Sequence, residues 1–180
     1  ADMIFPFFLF IVGAAMWFST HRHDYGIRSS RSKAQQMVHI FRRTSILFGV
    51  GVLLNWIPFD SYFAFVRIPG VLQRIAWAYF FAAALTLYIP RMQGVTLSIV
   101  VLLAGYWFLL DSLGTEVVGR VDMAVFGSAH LYRPTFDPEG LLSTIPAIAS
   151  VLIGYAAGRI MDQPNSASGG IGPLMVLGLL

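Results

Sequence analysis

The chain has 180 residues, of which 57% are hydrophobic, 14% aromatic and only 12% charged, with a formal net charge of +3 and no cysteine. That charged share is about half that of a soluble domain. It excludes a disordered chain, a coiled coil and an ordinary water-soluble globule, and leaves an integral membrane protein; the lack of cysteine excludes disulfides, zinc-thiolate sites and a catalytic thiol.

Five apolar runs follow one another, at 3–19, 44–59, 75–89, 95–110 and 141–157. Each holds 15 to 17 residues, slightly short of the roughly 20 that a hydrocarbon core requires, so flanking residues contribute. Arg42, Arg43 and Arg74 can snorkel from span ends, and Trp17, Trp56, Tyr62, Tyr88, Tyr106 and Trp107 lie where amphipathic rings prefer to sit. The runs lack the alternation of a barrel strand, and lipid cannot satisfy bare backbone, so they predict helices. A sixth run, 171–180, is about half a span, and the first residue is Ala1, not a Met, ahead of an apolar run that starts at Met3. The expected fold is an all-α polytopic transmembrane helical bundle of five full spans plus a truncated sixth. It forms one transmembrane domain over 1–180, incomplete at both ends.

The connections are unequal in charge. Residue 19–43 and the alternate connections on its side carry eight bases against two acids; the opposite side carries four bases against seven acids. The positive-inside rule puts 19–43 in the cytoplasm, and the N-terminus, 60–74 and 111–140 outside. The bases border apolar spans, which speaks for a membrane surface and lipid partners and against nucleic acid. The cysteine-free outer loops and the lack of an Asn-x-Ser/Thr sequon point to a bacterial inner membrane.

Polar residues gather at the outer edge in four places, taken in chain order. Asp2 opens the first run as a helix N-cap or as a buried partner for Arg67 or Arg74. In Arg67-Ile68-Pro69-Gly70-Val71-Leu72-Gln73-Arg74, Pro69 suits a first helical turn and Gly70 permits close backbone approach. The two arginines there either snorkel or grip a carboxylate or other anion with forked donors. His130 is able to exchange protons near neutral pH, or is simply a solvated loop histidine. Asp137-Pro138 reads as a helix start, whereas Glu139 is free to pair an arginine or take a proton from an amine. On the cytoplasmic side His21-Arg22-His23 lacks a third metal ligand, so no metal site is expected and a solvated basic loop is the better reading. That basic side, with Arg42 and Arg43, attracts phosphates of lipid or of a nucleotide-bearing cofactor. In the fifth run Ser143, Ala147, Ser150, Gly154 and Gly158 share one face and read as a helix-packing seam. Span centres carry no Asp, Glu, Lys or His, the residues an ion relay needs.

These four outer places, forming three motifs, together resemble one family, that of heparan-α-glucosaminide N-acetyltransferase and its bacterial relatives. They are Asp2-Met3-Ile4-Phe5-Pro6-Phe7-Phe8, then Arg67-Ile68-Pro69-Gly70-Val71-Leu72-Gln73-Arg74-Ile75, then His130-Leu131-Tyr132 with Asp137-Pro138-Glu139-Gly140-Leu141-Leu142-Ser143-Thr144. The resemblance implies a membrane acetyltransferase. It moves the acetyl group of cytosolic acetyl-CoA to an amino sugar or glycan on the extracytoplasmic side. It implies Asp2, His130, Asp137 and Glu139 as catalytic candidates, Arg67, Gln73 and Arg74 as substrate-binding, and Arg42 and Arg43 against the phosphates of acetyl-CoA. The family's essential histidine stands shortly before the Asp-x-x-Phe-Pro motif, upstream of Ala1, so the chain by itself is expected to be inactive, and His130 does not replace it. The competing readings are a transporter or exporter of a sugar or lipid, favoured by span count alone, and a non-catalytic scaffold. An acyltransferase requires a polar tunnel long enough for a pantetheine arm. A homo-oligomer is compatible with all three readings.

Overall fold

The structure, a computed structural model, describes residues 4–21, 32–57, 69–127 and 139–162. These form six helices and no strand: α1 (Ile4–His21), α2 (Lys33–Trp56), α3 (Val71–Tyr88), α4 (Met92–Leu113), α5 (Glu116–Phe126) and α6 (Thr144–Met161). The all-helical expectation holds. Four helices, α2, α3, α4 and α6, are long and apolar enough to cross a membrane, and α1 supplies a shorter apolar stretch, Ile4–Thr20. The run at 171–180 lies outside the described residues.

Three boundaries differ from the sequence expectation, each for a local reason. Helix α2 starts at Lys33, well before its apolar run, because Ser32 and Gln35 form a reciprocal capping box. Ser32 Oγ accepts from the Gln35 amide at 3.3 Å, and Gln35 Oε1 accepts from the Ser32 amide at 3.2 Å. Between α4 and α6, where a plain connection was expected, Gly114 and Gly127 take φ of +74° and +73° and bracket the short helix α5. Helix α6 begins at Thr144 with Ser143 as its N-cap residue, so the Asp137-Pro138 pair does not open it. Instead the turn ahead of it is closed by Ser143 Oγ and Thr144 Oγ1, which both donate to the Gly140 carbonyl at 2.8 and 3.1 Å.

Helix α6 is the centre of the bundle, packing against α1, α3 and α4, while α2 packs on α3. The small-residue seam of α6 does what its spacing predicts. A Cβ on Gly154 would overlap the Phe10 carbonyl, and one on Gly13 would overlap the Val151 carbonyl, so α1 and α6 approach backbone to backbone. Around this line the core closes on Leu9, Ile99, Val151 and Leu152. The outer faces are apolar in the opposite sense: Ile46, Leu53, Leu97, Val101, Trp107 and Phe108 are exposed. Such large contiguous apolar surface is untenable in water and natural in lipid, so the chain is an integral membrane protein.

The helices alternate in direction. At one end Trp17 of α1 donates to Asp162 at 3.2 Å, Arg159 of α6 donates to the Pro90 carbonyl after α3 at 2.7 Å, and Lys33 lies over the Tyr88 ring. At the other end the starts of α1, α3 and α6 meet, and there the polar residues singled out from sequence begin to converge.

Candidate active site

The site is built on the first turn of α3. Gly70 precedes it in extended backbone as the N-cap residue, so Pro69 lies just ahead of the helix and not in its first turn, where the sequence suggested it. Asn55, at the end of α2, donates its side-chain amide to the Pro69 carbonyl at 3.5 Å. Glycine at 70 and at 51 has a steric reason: a Cβ at either position would press on the Gln73 side-chain amide. Gln73 is thereby held inside the protein at 3% exposure, and its Nε2 has no hydrogen-bond partner among the described residues. A buried donor of this kind costs roughly 1–3 kcal/mol when unmatched.

Arg74 follows on the same turn. Its Nη2 donates to the Ser143 carbonyl at 2.7 Å, and its guanidinium lies 4.7 Å from the centre of the Phe5 ring. The charge of Glu139 acts on it electrostatically. Gln73, Arg74, Glu139 and Thr144 line one cavity of about 130 Å³, walled by Phe48, Trp77, Phe126 and Leu141. A half-enclosed apolar wall strengthens every charge interaction inside it. Residues some 65 positions apart along the chain are thus brought to one cavity.

Asp2, Arg67, His130 and Asp137 lie outside the described residues. Arg42 and Arg43 are described, and they stand elsewhere. With His39 they form the basic end of a larger cavity, about 650 Å³, between α1, α2 and α3. From His39 the cavity follows α2 to Val50, about 16 Å of helix, and reaches Leu72 beside Gln73. Arg43 is steadied by the Tyr79 ring at 4.9 Å. The wall between its ends is apolar, with Phe8, Val12, Ile46 and Leu47, whereas a polar tunnel was expected.

Sequence reasoning passed over Asp122 in α5. It has no exposed surface, and its Oδ1 accepts from the Leu141 amide at 2.8 Å. The signal was present: Asp122 falls four residues after Val118 on the face of α5 that is buried.

No protein-family model matches the chain. Over 89% of its length it is 26% identical to heparan-alpha-glucosaminide N-acetyltransferase of Homo sapiens and 25% identical to that of Mus musculus. The chain is similar to heparan-alpha-glucosaminide N-acetyltransferases. The family resemblance carried by the three motifs therefore extends to nearly the whole chain. The chain spans about a third of the length of these curated relatives, 33% in each case.

Proposed function

We propose that this chain is the membrane-embedded part of an acetyltransferase that passes the acetyl group of acetyl-CoA to an amino sugar or glycan. The observation that carries the reading is the convergence of Gln73, Arg74 and Glu139 on one cavity, in a chain similar to membrane acetyltransferases. The chemistry needs a base and oxyanion donors. The acceptor amine attacks the thioester carbonyl, the C–N bond forms, the C–S bond breaks, and the thiolate leaves. Glu139 takes the ammonium proton; Arg74 and the unmatched Gln73 amide face the oxygen on which charge develops. Asp2, Arg67, His130 and Asp137 complete the set by binding the acceptor's ammonium and hydroxyls or orienting the arginines.

Acetyl-CoA enters as a substrate. Its phosphates suit Arg42 and Arg43, and the cavity that runs from them toward Gln73 offers its arm a route. The basic end then faces the cytoplasm, the Arg74 end faces outward, and α1 completes a fifth crossing. We place the protein in a bacterial inner membrane. The competing reading, an exporter of a sugar or lipid, is not favoured, since both relatives are named as acetyltransferases.

The deciding experiment supplies labelled acetyl-CoA to the cytoplasmic face of vesicles containing the full-length protein, with glucosamine trapped on the other side. Labelled N-acetylglucosamine in the trapped compartment supports the proposal. Export of unmodified sugar without label, or no transfer to any amino sugar tried, contradicts it.

A further inference from the structure

Asp122 is buried without exposed surface, and no step above uses it. A carboxylate out of water is costly unless bound groups compensate it. One such group is the amide of Leu141, 19 residues further along, which donates to Oδ1 at 2.8 Å. Gly140 lies against the same carboxylate, close enough that a Cβ there would overlap it. The backbone of residues 140 and 141 therefore rests on the Asp122 side chain. On one side of that anchor, Glu139 lines the cavity with Arg74. On the other, the Gly140 carbonyl takes both hydroxyls of Ser143 and Thr144, and the Ser143 carbonyl receives Arg74. One end of this short segment thus bonds the Arg74 guanidinium, the other lines the same cavity as it, and the bond from α5 sits between them.

We propose that Asp122 is a positioning residue for the acetyl-transfer site. By holding the Leu141 amide, it fixes the 139–144 segment so that Glu139 and the Ser143 carbonyl reach Arg74 together. This rests on the reading of that cavity as an acetyltransferase centre. The role belongs to the acceptor atom rather than to the charge. Asparagine, which keeps an oxygen at Oδ1, performs it; alanine does not. A Cβ at position 140 displaces the carboxylate and has the effect of removing it.

The test compares wild type, Asp122→Asn, Asp122→Ala and Gly140→Ala in the full-length protein. The readouts are kcat, KM for acetyl-CoA with glucosamine as acceptor, and amide hydrogen exchange across 139–144. Asp122→Asn is expected to stay within about fivefold of wild type, the difference between a charged and a neutral acceptor. Asp122→Ala and Gly140→Ala are expected to lose about 100-fold in kcat, as misplacement of reacting groups by an ångström does. Their KM for acetyl-CoA stays unchanged, and 139–144 exchanges faster. Turnover of Asp122→Ala at the wild-type rate overturns the proposal, as does loss in Asp122→Asn equal to that in Asp122→Ala. If Asp122→Ala fails to insert, Gly140→Ala carries the same comparison. If wild type transfers no acetyl group, the functional reading falls, and the exchange measurement still decides the positioning role: protection retained in Asp122→Asn and lost in Gly140→Ala supports it, and protection equal in all variants refutes it.

Discussion

Arg74 is held three ways at once: by the Ser143 carbonyl, by the Phe5 ring and by the field of Glu139. A planar fork can satisfy these together, and a compact ammonium cannot. Arg74→Ala is expected to lower kcat by about 10²–10³, the usual cost of removing an oxyanion donor, and Arg74→Lys to recover little of it. Membrane insertion stays intact, since the bundle core lies on α6. Wild-type turnover in either variant removes Arg74 from the site. Gln73 offers a sharper contrast, because its Nε2 is buried without a partner among the described residues. An unmatched buried donor costs stability, so replacing it by an apolar group of similar shape is neutral or stabilising. Gln73→Met should therefore keep or raise the thermal midpoint while kcat falls about 100-fold, the scale of one lost donor. A fall in both would mark Gln73 as a packing residue.

At the scale of the helix, the close approach of α1 and α6 depends on glycine. Gly154→Val drives a branched side chain into the Phe10 carbonyl and is expected to cost about 1–3 kcal/mol of stability, the usual range for overpacking. A thermal or detergent-denaturation series measures it, and an unchanged midpoint contradicts the seam. This seam was legible in the sequence because small residues at helical spacing have few other uses in a membrane. The apolar runs were legible for the same kind of reason: hydrocarbon thickness dictates their length. The start of α2 was not, since its opening turns are polar and only the Ser32–Gln35 pair reveals the cap. Helix α5 was masked by its charges: Glu116 and Arg120 pair on its exposed face at 2.9 Å, and they made the segment read as loop. With α5 went Asp122, counted as one more outer acid although it lies on the buried face. That Glu139 lines the same cavity as Arg74 was suggested in the sequence because no helix cap required that residue.

For the molecule as a whole, the proposed function divides the work between two cavities. On that reading Arg42 and Arg43, near the middle of α2, meet the donor's phosphates at the end of the larger cavity away from Leu72. Replacing both by Gln should raise KM for acetyl-CoA about 100-fold or more, because each charge-assisted phosphate contact is worth roughly 1.5–3 kcal/mol. The KM for glucosamine and the kcat at saturating donor should hold, and an equal change in both KM values contradicts the division. The claim on which the rest depends is that residues from α3 and from the segment just ahead of α6 act in one pocket. A double-mutant cycle on acetyl transfer, with Arg74→Ala, Glu139→Gln and the two combined, tests it most directly. A shared pocket predicts that the second substitution costs little once the first is made. Losses that multiply in full would show two groups acting independently, and the common site would be refuted.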